Sequence, residues 1–269
     1  MIEFRDSVSK VSQSQKIGDT LSYMPPTPKN PPNVDIEFKD GVPVSKLFDD
    51  IYFSKQGGFE ESHYVFVAGN EIESKLDQKN LTTLYIGELG FGSGLNLFVT
   101  LDTWKSFKNP TSVEFVSLEG YPLTEDILLT LNKSYPNKNL WSEDLIRSYE
   151  NAISVWRKTQ IENLWTYSWD HNDNGSRFTL KVFLGDISVC LPHFPPIQAW
   201  YLDGFSPGKN PDMWSLDTLK IMREKSMPGT SFATFSSAGF LRRNLTELGF
   251  VVKKKKGFGR KREMISGLL

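Results

Sequence analysis

Residues 82–96, TTLYIGELGFGSGLN, admit few folds. An apolar run ends in Glu88, and glycines follow at alternate positions, Gly90, Gly92 and Gly94. An apolar helical pattern then begins, carried by Leu95, Leu97, Phe98, Val99, Leu101 and Trp104. A strand, a tight glycine loop and a helix in that order form the first βα turn of a doubly wound sheet. Each glycine lets backbone approach a ligand where a Cβ would collide.

The same alternation continues to the end of the chain. Strands are predicted at 82–87, 113–118, 178–184, 199–202, 230–235, 250–255 and 263–268, and helices at about 94–106, 123–133, 142–158, 212–226 and 237–248. Gly249 stands where a helix C-cap glycine belongs. The last two strands are close together, which predicts an antiparallel pair at the end of the sheet. Upstream, residues 1–34 are polar and proline-rich and read as an extended arm. Residues 35–75 read as a small β-rich subdomain, with a hairpin turn at Asp40-Gly41 and a second turn at Gly57-Gly58 between Phe48–Ser54 and Tyr64–Val67. The expected architecture is therefore α/β and Rossmann-like: a mostly parallel seven-stranded sheet over 76–269, with an antiparallel strand near one edge and a β-rich N-terminal appendage.

Composition removes several classes of function. The single Cys190 excludes an internal disulfide and a cysteine metal cluster, and His63, His171 and His193 lack ligand spacing, so no metal is expected. No apolar run is long enough to span a membrane, no signal region follows Met1, and a cytoplasmic location is expected. The net charge of −1 carries no global signal for nucleic acid.

Acidic residues recur at the predicted strand ends. Glu88 precedes the glycine loop, Glu119 follows the second strand, Asp186 and Ile187 follow 178–184, and Asp203 follows 199–202. Ligands of such sheets bind at the carboxyl ends of the strands. Taken singly, each acid is explained by a helix N-cap or a surface loop. Four at four strand ends, one beside a glycine loop, point to a ligand. A carboxylate at this loop repels a pyrophosphate and suits a cationic, phosphate-free ligand such as S-adenosylmethionine. In that reading Glu88, Gly90, Gly92, Gly94 and Asn96 cradle its amino-acid end. Glu119 accepts from the ribose hydroxyls, Asp186 accepts from the adenine amino group with Ile187 packed on the ring, and Asp203 lies near the methyl-transfer point.

Longer blocks carry a family resemblance. ELGFGSGLN at 88–96, FDDIYFS at 48–54, LDGFSPGKNPDMW at 202–214, SAGFLRR at 237–243 and KGFGRKREM at 256–264 resemble the MnmC-type methyltransferases. These use S-adenosylmethionine to complete 5-methylaminomethyl-2-thiouridine at the wobble position of tRNA. The resemblance runs from about Asp40 to Met264 and implies a class I methyltransferase. Many members continue into an FAD-dependent oxidase domain. A chain ending at Leu269 is expected to resemble the methyltransferase alone, to bind no FAD, and to receive its substrate as a primary amine from a separate tRNA-modifying enzyme. Gly120 stands where the family often has a basic residue. The segment 136–176, with Trp156, Trp165, Trp169 and a polar stretch over 171–175, is not aligned with the family.

Methyl transfer from sulfonium to nitrogen is an in-line displacement in which a neutral amine becomes cationic. A nearby carboxylate aims the amine and stabilises the new charge. Asp203 is the candidate, with Phe205 either a wall of the site or an ordinary core aromatic. Basic residues crowd the C-terminal region, and tRNA contacts are assigned to Lys209, Arg242, Arg243, Lys256, Arg260, Lys261 and Arg262, with Phe258 as a platform for a splayed base. Solvated strand lysines are the plain alternative for Lys253–Lys256. Two other functions fit the same sequence: methylation of a small-molecule or protein amine, and a non-catalytic RNA-binding scaffold.

Overall fold

The computed structural model describes residues 34–39, 42–54, 57–134, 140–159, 163–171 and 175–269. The arm read over 1–34 lies outside the described residues apart from Val34, as does the Asp40-Gly41 turn.

Alternation in the first described stretch builds a three-stranded antiparallel sheet of β1 (Ile36–Lys39), β2 (Val42–Ser45) and β3 (Asp50–Ile51). The chain then turns helical. Helix α1 (Gly58–Ser62) runs directly into a π-helical turn, His63–Val67, followed by α2 (Ile72–Leu76). Tyr64–Val67 is thus helix and not part of the β-rich appendage. Val65, Phe66 and Val67 are all buried, a run that reads like a strand but here lies against the main sheet, with Phe66 stacked on Tyr201 at 5.2 Å. The Asn70 amide holds this turn by donating to the Phe66 and Trp200 carbonyls.

From β4 (Thr83–Leu89) the expected alternation holds. It continues through α3 (Leu95–Ser106), β5 (Ser112–Glu119), α4 (Glu125–Ser134) and α5 (Glu143–Thr159). After β6 (Asn163–Asp170) and β7 (Arg177–Leu184) come α6 (Ile187–Cys190), a 3-10 turn at Leu191–His193 and β8 (Ile197–Leu202). The last part holds a 3-10 turn at Asp212–Trp214, α7 (Leu216–Glu224), β9 (Ser226–Thr234), α8 (Gly239–Glu247), β10 (Val251–Lys256) and β11 (Glu263–Leu268).

The sheet has eight strands in the order β10-β11-β9-β8-β4-β5-β7-β6, one more than the sequence reading expects. The extra strand is β6, antiparallel to β7 along its whole length. Trp165, Tyr167 and Trp169 alternate inward from it and are buried. This period-2 alternation, within the 136–176 segment, is the pattern of an edge strand. At the opposite edge β10 and β11 form the expected antiparallel pair, with β11 antiparallel to β9.

The parallel strands β4, β5, β7, β8 and β9 present their carboxyl ends along one edge. The chain leaves β4 toward β5 on one side and returns to β8 on the other, so the topological switch point lies between β4 and β8, where a crevice opens. Two buried apolar clusters occupy the two faces, one built on α3 and α5 and one on α7 and α8.

Candidate active site

At the switch point, register decides which side chains meet. β4 and β8 pair Glu88 with Tyr201 and Leu89 with Leu202, so Asp203 emerges beside Glu88 and the glycine loop. Asn96, at the start of α3, joins the two acids. Its amide nitrogen donates to Glu88 Oε1 at 2.9 Å and to Asp203 Oδ2 at 2.6 Å. Its oxygen accepts from the Ser62 hydroxyl of α1 at 2.5 Å, which orients the amide. Ser117 of β5 donates to the other Glu88 oxygen at 2.7 Å.

Glu88 is therefore fully enclosed, 1% exposed, and reaches the crevice only through Asn96. Burial pushes its carboxyl well above the usual range, against the pull of the Ser117 and Asn96 hydrogen bonds. Asp203 is partly buried. Burial raises its pKa to about 6, while the Gly204 amide, Asn96 and the charge of Lys261 hold it down and Glu61 pushes it up. Glu119, at the end of β5, accepts from the Gly92 amide at 2.6 Å and the Tyr121 amide at 2.7 Å. Burial raises its pKa too, opposed by the amides of Tyr121, Gly92 and Gly120.

The loop is held from below. Gly90 and Gly204 have φ of 87° and 130°, values that L side chains rarely adopt. A Cβ on Gly204 would drive into the Met213 sulfur, and one on Gly90 would lie 3.2 Å from the Met213 methyl. The block 202–214 thus acts as a scaffold. Met213 packs beneath both glycines, the Trp214 indole donates to the Phe205 carbonyl at 2.8 Å, and the Asn210 and Lys209 amides bond back to Ser206.

The N-terminal sheet covers the crevice from above. Phe48 stacks on Phe205 at 4.6 Å and meets Tyr121 edge-on at 5.2 Å. Tyr52 meets Phe205 edge-on at 5.1 Å and lies over Gly92. Asp50 accepts from the Ser206 amide at 2.8 Å. Phe205 is thus a wall of this crevice and not a residue of the main core. Phe48, Tyr52, Ser62 and Ser117 were not singled out from sequence. The first two lie in the FDDIYFS block, whereas nothing local marks either serine.

Three clustered carboxyl groups, none of them in a direct ion pair, suit a cationic ligand. Among the described residues no lysine or arginine forms an ion pair with Glu88, Glu119 or Asp203. Residues 150–269 match a family described as S-adenosyl-L-methionine-dependent methyltransferase. Residues 150–269 thus carry the signature of an S-adenosyl-L-methionine-dependent methyltransferase domain. The chain is 40% identical over 240 residues to the tRNA 5-methylaminomethyl-2-thiouridine biosynthesis bifunctional protein MnmC of Vibrio vulnificus strain CMCP6, and 39% identical to that of strain YJ016. Each match covers 85% of this chain and 34% of the relative, so the chain spans about a third of the length of the curated relatives it matches. Among solved structures, MnmC2 from Aquifex aeolicus is 26% identical with a TM-score of 0.62, over 87% of this chain and 69% of that one.

The remaining expected site residues are not all brought together. Asp186 is exposed and caps α6, accepting from the Ser188 amide at 2.8 Å and its hydroxyl at 2.5 Å, with Ile187 partly buried beside it. Lys209 is tied to Asp49 of the N-terminal segment at 3.0 Å. Lys261 pairs with Glu61 of α1 at 2.6 Å and lies 5.0 Å from the centre of the Phe235 ring. Phe258 packs against Tyr64 at 5.8 Å and beside Gly57. Lys256, Arg260 and Arg262 are exposed around the β10–β11 turn, while Arg242, partly buried, and Arg243, exposed, sit on α8. No helix among the described residues is long and apolar enough to cross a membrane.

Proposed function

We propose that this methyltransferase acts on the aminomethyl nitrogen at C5 of a tRNA wobble uridine, converting 5-aminomethyl-(2-thio)uridine to 5-methylaminomethyl-(2-thio)uridine. One observation carries the reading: Asp203 stands beside the glycine loop at the switch point, in a chain 40% identical to MnmC over 85% of its length. The pathway those relatives are named for supplies the substrate class.

S-adenosyl-L-methionine supplies an activated methyl group when bound. Its amino-acid and ribose ends are assigned to the loop around Gly90, Gly92 and Gly94, to Asn96 with Glu88 behind it, and to Glu119. Asp186 and Ile187 are assigned to the adenine end. A carboxyl group at Asp203 with a pKa of about 6 is ionised at neutral pH. It accepts a hydrogen bond from the acceptor amine, aims the lone pair, and stabilises the positive charge that develops on nitrogen. No strong base is needed, because the product ammonium loses its proton to water. The substrate reaches the site as a primary amine made by a separate enzyme, in the cytoplasm, and no FAD or metal takes part.

The test is nucleoside analysis of tRNA from a strain lacking the protein, paired with methyl transfer by the purified chain. Accumulated aminomethyl uridine, converted in vitro to the methylamino form, is the expected result. Normal modification in the deletion strain, with transfer only to a free amine or a protein, would replace this reading with the small-molecule or protein-amine alternative.

A further inference from the structure

A cavity of about 590 Å³ opens at the carboxyl edge of the sheet, lined by Phe235, Ser237, Lys261, Arg262 and Glu263. None of the residues that hold the glycine loop lines it. Its position follows from topology. Phe235 comes directly after β9, as Asp203 comes directly after β8, and the two strands are parallel neighbours. Adjacent strands lie about 4.8 Å apart, so the residues leaving them emerge side by side. β11 runs antiparallel to β9, and its start therefore brings Lys261, Arg262 and Glu263 to the same edge. The electrostatics agree, since the charges of both Lys261 and Glu61 reach the Asp203 carboxylate.

We propose that this cavity is the acceptor-base pocket, in which the uracil ring of the splayed wobble nucleotide lies on Phe235 and is read by Lys261. The proposal rests on the tRNA reading above and names the part of the protein that recognises the base. Phe235 is partly buried, packed against the main core and edge-on to Trp214, and the Lys261 ammonium lies 5.0 Å from its ring centre, so a base that stacks on that face displaces the ammonium to its own edge. Unpaired bases are bound by stacking on such rings. The C4 carbonyl of the pyrimidine lies next to the carbon that bears the aminomethyl group. A donor placed beside a carboxylate therefore matches the base: Lys261 donates to the carbonyl while Asp203 receives the amine. Glu61 holds the lysine in place. It is itself fastened by the Ser54 hydroxyl, and its side chain is only 12% exposed. Lys261 is thereby a specificity residue at the mouth of the site, set apart from Arg260 and Arg262 by its ion pair with Glu61. Phe258, the aromatic expected from sequence to take the base, packs against Tyr64 and does not line this cavity, whereas Phe235 does.

The experiment uses the full chain, labelled S-adenosylmethionine and tRNA lacking only the final methyl group. It compares Phe235→Leu, Phe235→Trp, Lys261→Met and Lys261→Arg with the wild type for single-turnover rate, tRNA affinity and S-adenosylmethionine affinity. Phe235→Leu keeps apolar bulk and removes the stacking face. It should lower the rate about 10-fold or more, the size that base–aromatic stacking carries, with S-adenosylmethionine affinity within about twofold. Phe235→Trp should restore most of the rate. Lys261→Met should lower the rate, and Lys261→Arg should retain it. Wild-type rates in both Phe235→Leu and Lys261→Met overturn the pocket while leaving the tRNA reading intact. Absence of methyl transfer by the wild type overturns that reading, and the pocket with it. If Phe235→Leu fails to fold, the exposed Lys261 decides the matter alone.

Discussion

Asp203 has its protonation set by opposing neighbours, which makes it the residue most open to test. Burial lifts its pKa from 3.8 to about 6. An acid with a raised folded-state pKa holds its proton more tightly when folded. Its contribution to stability is therefore greatest below about pH 4 and is lost as pH rises through about 6. Glu88 and Glu119, also shifted up, act in the same sense. Asp203→Asn should accordingly flatten the fall in melting temperature between about pH 4 and 6, measured by calorimetry. The same carboxylate must be ionised to stabilise the amine, so methyl transfer should drop below about pH 6. Asp203→Asn should remove that inflection and depress turnover roughly 100-fold, with S-adenosylmethionine affinity little changed. Near-normal turnover with saturating tRNA would take Asp203 out of the mechanism. Glu119 is tied to two loop amides and faces the expected ribose site. Glu119→Ala should weaken S-adenosylmethionine by about 1–3 kcal/mol in titration calorimetry. Unchanged affinity in both Glu119→Ala and Glu88→Ala would sink the assignment of this crevice to the cofactor.

At the scale of elements, the site depends on three pieces meeting: the β4–α3 loop, the 203–214 block and the N-terminal sheet. The block supports the loop through Met213, and Gly204 is where the packing is tightest. Gly204→Ala combines a φ of 130° with a collision against the Met213 sulfur. It should cost about 1–3 kcal/mol in urea unfolding and loosen the loop above it. A variant with wild-type stability would mean that Met213 swings aside freely and is not a support. The link from α1 to α3 is narrower. Ser62 is the partner of the Asn96 oxygen, and Asn96 in turn spans Glu88 and Asp203. One hydroxyl in a helix of five residues therefore orients the amide that connects both acids.

For the whole molecule, charge is the property that matters. A chain of net charge −1 concentrates cations at one sheet edge, near the crevice. β10 is an edge strand whose lysines are exposed, which also discourages pairing with another sheet. Two of the expected RNA-binding residues, Lys209 and Lys261, are engaged in ion pairs with the N-terminal segment. The exposed set around the β10–β11 turn is Lys256, Arg260 and Arg262. Neutralising these three together should weaken tRNA binding and reduce its salt slope by about 0.7–0.9 for each phosphate that is no longer neutralised. S-adenosylmethionine affinity should not change. An unaltered slope would assign the RNA path to another face.

The sequence alone determined the alternation of strands and helices, the glycine loop and the strand ends that carry Glu88, Glu119 and Asp203. These are local properties: period, turn chemistry and the residue that closes or follows each strand. Tertiary structure decided the rest. β6 was legible as alternating Trp165, Tyr167 and Trp169, but only pairing with β7 made it an eighth strand. Tyr64–Val67 has the composition of a strand and became helix because Val65, Phe66 and Val67 are all buried together against the sheet. Asp186 follows a strand as Asp203 does, and tertiary structure sets it apart at an exposed position where one carboxylate oxygen caps α6. Lys261 looks like its basic neighbours, but Glu61, distant in the chain, holds it beside Phe235. Periodicity tells which side chains turn inward. It carries no information on which distant charge or ring they will meet, because that depends on strand order and register across the whole sheet.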